Sequence, residues 1–359
     1  MRRLLSAILL FVIAAGCATP LRVPPPTSET GGEPDGVATL TLALPSATRR
    51  PPSLMPILPT PTLAPTVPPT PDPYEAYGIA SLRSRSYGGG ALEITETLGD
   101  NGLFMRYLVQ YRSDGLVIHG FMNVPHGDGP FPVVIALHGY IDPGLYNTFD
   151  YTTRYADALA NAGFLVIHPN LRGYRPSDDG DNLFRVGMAE DVLNLIALVK
   201  AGGGALGPLE KADAARIGLW GHSMGGGVST RVITVSPDVK AAVLYGAMSG
   251  DEHKNYEAIL GWTGGERGQA ELGAPDEALA RISPEFFFDG ISAAVSIHHG
   301  CSDETVPVEW SERTCAALTA LGKTVECTYY GSAPHTFSGE ADAEFMQNVV
   351  DFFERYLAP

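Results

Sequence analysis

Arg216-Ile217-Gly218-Leu219-Trp220-Gly221-His222-Ser223-Met224-Gly225-Gly226 is the stretch on which the fold turns. Arg216 to Gly221 reads as a strand, and a helix begins at Met224. Between them lies G-x-S-x-G, with Ser223 at its centre. A serine on a sharp strand-to-helix turn lifts its hydroxyl above the sheet, and side chains two residues to either side would collide there. Glycine at 221 and 225 removes that collision. The helix N-terminus beneath adds positive potential where an oxyanion would form. This spacing in this context predicts Ser223 as a nucleophile.

The surrounding sequence supplies the sheet such a turn requires. Val133 to His138 is a continuous apolar run of strand length, as in a sheet buried on both faces. Phe164 to His168, Val239 to Tyr245, Ala294 to His299 and Thr324 to Tyr330 read likewise. Helices are expected over Arg154 to Ala162, Val186 to Lys200, Val308 to Leu321 and Ala341 to Tyr356. Ala91 to Thr97 reads as a strand before them. Tyr107 to Tyr111 and Leu116 to Asn123 form a hairpin around Ser113-Asp114-Gly115. Strands alternating with helices predict an α/β fold with a mostly parallel twisted sheet covered on both faces. Residues 248–290, which hold Gly261, Gly264, Gly265, Gly268 and Gly273 among scattered apolar residues, interrupt the alternation: a small helical cap, or a plain surface excursion.

The 359 residues are 45% hydrophobic and 18% charged, a globular composition. Proline divides the chain. Of 29 prolines, 16 fall between Pro20 and Pro73, so residues 18–73 read as a Pro/Thr-rich stalk in extended conformation. Residues 1–73 carry five basic and four acidic side chains; residues 74–359 carry 19 and 36, a net charge of −17. That balance disfavours nucleic acid, which needs a basic footprint, and electrostatic docking on anionic lipid. Met1-Arg2-Arg3 followed by an apolar run from Leu4 to Ala15 matches a secretory signal, too short to span a bilayer. Ala14-Ala15-Gly16-Cys17 resembles the bacterial lipobox. That resemblance implies lipidation of Cys17 and an exported catalytic domain, over 74–359, anchored to the membrane of a bacterial cell envelope.

A serine hydroxyl needs a base. In the order Ser…Asp…His the base comes last, and His335 is the one histidine after the final strand. Asp303, in Gly300-Cys301-Ser302-Asp303-Glu304 between a strand and a helix, is the expected orienting acid. Its rivals are Glu304 and Asp251. The oxyanion hole needs two donors. One is the Met224 N–H; the other is Tyr140, through its backbone N–H or its phenol. His298 and His299 are strand neighbours facing opposite ways, which argues against a shared metal. Arg172-Gly173-Tyr174 either lines the cleft or is a turn whose arginine pairs with a surface carboxylate. This chemistry needs no metal and no cofactor.

At these residues the chain resembles the α/β-hydrolase superfamily, and within it the catalytic domain of prolyl oligopeptidase-type serine hydrolases and their dienelactone-hydrolase-like relatives. The likeness covers about residues 105–357. It is carried by His138-Gly139-Tyr140, Asn170-Leu171-Arg172-Gly173-Tyr174, Gly221 to Gly226, Ser283-Pro284, Gly300 with Asp303 and Val306-Pro307, and Gly331 with His335 and Phe337. It implies nucleophile, acid and base at Ser223, Asp303 and His335, and an oxyanion tyrosine at Tyr140. The acyl-enzyme chemistry implied serves small esters and short peptides alike. His-Ser-Met-Gly-Gly is more usual in esterases, which favours ester hydrolysis over a prolyl oligopeptidase-like peptidase. An inactive surface binding module on the same fold is the reading from a different class; the complete set of three side chains speaks against it.

Export permits disulfides. With Cys17 assigned to lipid, Cys301, Cys315 and Cys327 allow three pairings. The helix holding Cys315 rises about 9 Å back from its end, and the strand holding Cys327 about 10 Å from its start, so those two are level. Cys315–Cys327 is the expected bridge.

Overall fold

The computed structural model describes residues 71–358. The signal segment 1–17, the lipidation site Cys17 and nearly all of the 18–73 stalk lie outside the described residues. Among those described, no helix is long and apolar enough to cross a membrane.

A nine-stranded sheet runs in the order β1-β2-β3-β5-β4-β6-β7-β8-β9. β1 (Glu93–Asp100), β2 (Phe104–Ser113) and β3 (Leu116–Pro125) form an antiparallel meander, and β3 pairs antiparallel with β5 (Leu165–Pro169). From there β4 (Phe131–Leu137), β6 (Ala212–His222), β7 (Val239–Tyr245), β8 (Ala294–Gly300) and β9 (Val325–Tyr330) are parallel. The β2–β3 turn is Asp114-Gly115, both at positive φ, the geometry that matches strand twist in a two-residue hairpin.

Side-chain alternation divides the core in two. Along β4, Val133, Ile135 and Leu137 face one layer, while Val134 and Ala136 face the other. The first layer takes α1 (Ile79–Ser84), α3 (Val186–Gly202), α4 (Met224–Val235) and α8 (Val308–Ala320). The second takes α2 (Thr153–Asn161) and α9 (Gly339–Leu357), through Tyr155, Leu159, Phe345, Val349 and Phe353. Gly218 lets α9 reach the central strand: a Cβ there would stand 2.9 Å from both Phe353 and Leu357 side chains.

Three features differ from expectation. α1 is absent from the sequence reading, because six residues show too little periodicity; only Ile79 and Leu82 are buried. β1 runs later than Ala91–Thr97, since all eight of its residues are exposed and no apolar alternation marks its ends. β6 begins at Ala212, four residues before the apolar run, where a register shift separates Asp213 from Ile217 along β4. Residues 248–290 are helical, with α5 (Glu252–Trp262), α6 (Gln269–Leu272), α7 (Asp276–Ile282) and a 3-10 segment over Pro284–Gly290. Glu252 ties α5 to the body by accepting from two buried guanidiniums, Arg185 before α3 and Arg231 on α4.

Cys315 on α8 and Cys327 on β9 are joined in a disulfide with Cα atoms 6.5 Å apart. The sequence separation is 12 residues. Closing so short a loop removes on the order of 2–3 kcal/mol of unfolded-state entropy. Cys327→Ser is therefore expected to lower stability by about that amount. Urea unfolding of non-reduced wild type and variant checks it; equal midpoints would contradict it.

Candidate active site

β6 ends at His222, and the chain turns into α4 at Ser223 with φ 55° and ψ −114°. A positive φ in a non-glycine residue is strained, costing on the order of 1–3 kcal/mol. Close packing maintains it. A Cβ on Gly225 would lie 2.4 Å from the Leu137 carbonyl oxygen and 2.6 Å from that of His138. One on Gly221 would lie 2.3 Å from the Gly225 carbonyl oxygen. The Ser223 N–H donates to the Tyr245 carbonyl at 2.9 Å, and its own carbonyl accepts from Met248 N–H at 3.1 Å. Thus β7 and the start of the insertion hold the elbow from the other side.

His335, after β9, meets Asp303, after β8. The His335 Nδ1 stands 2.6 Å from Asp303 Oδ2. The other Asp303 oxygen accepts from Thr305 and Val306 N–H groups, both at 2.8 Å. His299 Nε2 lies 3.1 Å from Oδ2. Burial pushes the Asp303 carboxyl upward, but hydrogen bonds from His299 and His335 and the Val306 N–H outweigh it, so the group stays well below the ordinary carboxylate range. A carboxylate there obliges His335 to carry its proton on Nδ1, leaving Nε2 as the acceptor. Gly246 makes room: a Cβ there would be 3.3 Å from His335 Nδ1.

Asp251, the rival acid, accepts from His253 N–H as the N-cap of α5. Glu304 lines a cavity of about 380 Å³ with Ala258, Trp262, Pro307 and Glu309, between α5 and the Asp303 loop. Ser223 is buried but for 8% of its surface. Among the described residues, neither its hydroxyl nor His335 Nε2 is engaged in a hydrogen bond. The His222 ring, next to Ser223, packs at a tilt against that of His335 with centroids 4.6 Å apart.

The expected oxyanion donors separate. The Gly139 N–H is used, donating to Tyr151 Oη at 2.9 Å. The Tyr140 phenol accepts from Arg267 of the insertion at 2.8 Å and is half-exposed. Among the described residues, the N–H groups of Tyr140 and Met224 meet no acceptor. The 139–140 loop lies against the nucleophile, since a Gly139 Cβ would be 3.2 Å from Ser223 Cβ. The backbone N–H of Tyr140 is thus an open donor beside Ser223, while its phenol, which accepts from Arg267, keeps its own O–H.

Arg172 pairs with carboxylates, the exposed Asp114 at 3.9 Å among them, but its main partner lies inside. It is buried and paired with the fully buried Asp191, its Nη2 2.8 Å from Oδ1. Tyr174 alone of that turn comes near the site, with its hydroxyl 3.7 Å from Met224 Sδ. His298 and His299 have different partners on opposite faces, Tyr330 Oη at 3.0 Å and Ser311 Oγ at 2.7 Å. Sequence reasoning missed Tyr151, His299 and Arg267. His299 directly precedes the Gly300 of the acid loop, which was a usable signal; Tyr151 and Arg267 sit on loops with no pattern.

The prolyl oligopeptidase family model matches residues 147–359. The chain belongs to the prolyl oligopeptidase family. It is thereby a serine hydrolase of the α/β-hydrolase superfamily. A putative carboxymethylenebutenolidase of Methylorubrum extorquens is 24% identical over 289 residues, 74% of this chain and 86% of that protein. An acetyl xylan esterase from Paenibacillus sp. R4 superposes with a TM-score of 0.58 at 20% identity, over 78% of this chain and 92% of the esterase. A puromycin-hydrolyzing peptidase of Mycobacterium tuberculosis superposes with a TM-score of 0.59 at 21% identity, over 72% of this chain; the match spans 40% of the peptidase.

Two predictions follow from the packing. Gly225→Ala drives a methyl into two backbone carbonyls that cannot move aside, so it is expected to cost at least 1–3 kcal/mol, read by urea denaturation. An unchanged midpoint would mean the elbow is more open than this. The second concerns buried histidines. Burial, first of all, holds His168, His222 and His298 down from 6.5 to about 3. Between those values the unfolded chain binds protons that the folded one does not. Their contribution is complete above about pH 6.5 and is lost as pH falls toward 3. The urea midpoint is expected to drop steeply from pH 6.5 to 4; a flat profile would contradict it.

Proposed function

We propose that this protein hydrolyses carboxylic esters, or closely related acyl bonds, through an acyl-enzyme on Ser223. The observation that carries the reading is the Asp303–His335 pair, 2.6 Å apart, with the His335 ring 4.6 Å from that of His222, the neighbour of Ser223. In this reading His335 Nε2 takes the Ser223 proton as the hydroxyl oxygen attacks the carbonyl carbon. The backbone N–H groups of Met224 and Tyr140 hold the oxyanion, assisted by the α4 N-terminus. His335 then protonates the leaving group and activates water for deacylation, while Asp303 keeps the imidazole in the productive tautomer. The His-Ser-Met-Gly-Gly sequence supports ester over peptide substrates. A cavity bordered by α5 of the insertion and the Asp303 loop supports a cap that shapes access to the site.

The N-terminal segment completes the reading. Cys17, after the Leu4–Ala15 run, is the lipidation site of an exported protein, and the 18–73 stalk holds the catalytic domain off the membrane of the cell envelope. One acyl chain binds a bilayer only marginally, so stable anchoring takes two or more.

Ser223→Ala is expected to lose on the order of 10⁴–10⁶ in rate while remaining folded, and Asp303→Asn about 10⁴. p-Nitrophenyl esters of graded chain length, assayed beside aminoacyl-nitroanilides, measure both the loss and the substrate class. Faster nitroanilide turnover would assign a peptidase, and Ser223→Ala within tenfold of wild type would remove the nucleophile. Cys17→Ser is expected to release the protein from the membrane fraction or block its processing; unchanged fractionation would indicate a plain secretory signal.

A further inference from the structure

The residue preceding the nucleophile has no part in the chemistry above, yet its ring nitrogens are both engaged. His222 Nε2 is 3.0 Å from the His335 main-chain carbonyl oxygen. That oxygen can only accept, so Nε2 carries the hydrogen. Burial, then the neighbouring His335, keep the His222 imidazole neutral, with its pKa down to about 3. A neutral imidazole has one N–H, so Nδ1 is a lone pair. It accepts from Tyr151 Oη, 2.7 Å away. The Tyr151 hydroxyl has then given its single hydrogen and is left as an acceptor, and it receives the Gly139 N–H at 2.9 Å. Every proton in the chain from Gly139 to His335 is thereby assigned.

This chain crosses the site from side to side. Gly139 belongs to the loop that presents the open Tyr140 N–H, His222 to the elbow, and His335 to the loop that carries the imidazole. We propose that His222 and Tyr151 are positioning residues, a hydrogen-bonded strut that sets the oxyanion loop and the histidine loop at one spacing around Ser223. The proposal rests on Ser223 as nucleophile and His335 as base. Gly139's amide plane is fixed by Tyr151, which aims the next N–H in the chain. The His335 carbonyl is fixed by His222 while its ring is fixed by Asp303, so the residue is held at both ends. The three groups pack closely: a Gly139 Cβ would stand 2.5 Å from Tyr151 Oη and 3.2 Å from His222 Nδ1. A misplacement of about 1 Å in such a constellation costs on the order of 10²-fold in rate.

The test compares Tyr151→Phe, His222→Phe and His222→Gln with wild type on one p-nitrophenyl ester, each normalised to the sites titrated by a fluorophosphonate probe. Tyr151→Phe keeps the ring and loses only the hydroxyl. It is expected to lower kcat per titrated site by about 10- to 100-fold, with KM within about threefold. The affinity of an alkylboronic acid, which mimics the tetrahedral adduct, is expected to fall by the same factor as kcat/KM. His222→Phe should fall at least as far. His222→Gln, with an amide donor and acceptor, should recover part of the loss. A purely structural role would reduce the titrated fraction and leave kcat per site unchanged. kcat per site within threefold of wild type in both phenylalanine variants overturns the strut, as does a glutamine variant no better than phenylalanine. If wild type takes no fluorophosphonate, the nucleophile reading itself fails and the strut with it.

Discussion

The contact between Gly225 and the carbonyl oxygens of Leu137 and His138 is the constraint on which the site depends. It brings the first turn of α4 against the end of β4 with no side chain between. Ser223 can then remain at φ 55°, because relaxing it would pull the helix away from the strand. The same approach brings the loop after β4 to Ser223, so an N–H donor and a hydroxyl share one small space. Strain at the elbow is thus held by backbone packing in the centre of the sheet, where β4, β6 and β7 run parallel and are covered on both faces.

Around that point the acid is held by a full set of hydrogen bonds. Asp303 accepts from two main-chain N–H groups and two histidines, which stabilises its charge despite burial. His299 is anchored in turn by Ser311 and the Val306 carbonyl. Burying a carboxylate without such donors would cost several kcal/mol. The rigidity of this layer contrasts with the insertion above it. Arg267 reaches the Tyr140 phenol across an exposed surface, and the preceding Gly264 and Gly265 stand at positive φ with open space around them. The insertion is nonetheless rooted, since Glu252 at its base joins two arginines from different parts of the body.

Such a division suits acyl transfer. The groups that must be placed to a fraction of an ångström are attached to strand ends and short loops. The groups of the insertion are on outer helices beyond them. Esterases and peptidases therefore superpose on one frame, and the frame alone does not select between them.

What the sequence determined by itself was the parallel sheet, the elbow and the order of serine, acid and histidine. Each of these is written in local terms: apolar runs of strand length, glycines at fixed distances from Ser223, and a lone histidine after the last strand. Even the level pairing of Cys315 with Cys327 follows from the rise per residue along a helix and a strand. What only the tertiary structure decided lies between segments distant in the chain. Tyr151 is 71 residues from His222, and His222 is 113 from His335, so no spacing announces that they meet. The contact of the Tyr140 phenol with Arg267, 127 residues away, was likewise invisible. Arg172 reads as a surface turn until α3 brings Asp191 beneath it. Local steric rules propagate along the chain and can be read from it; the pairing of buried polar groups depends on which loops the packed sheet brings together.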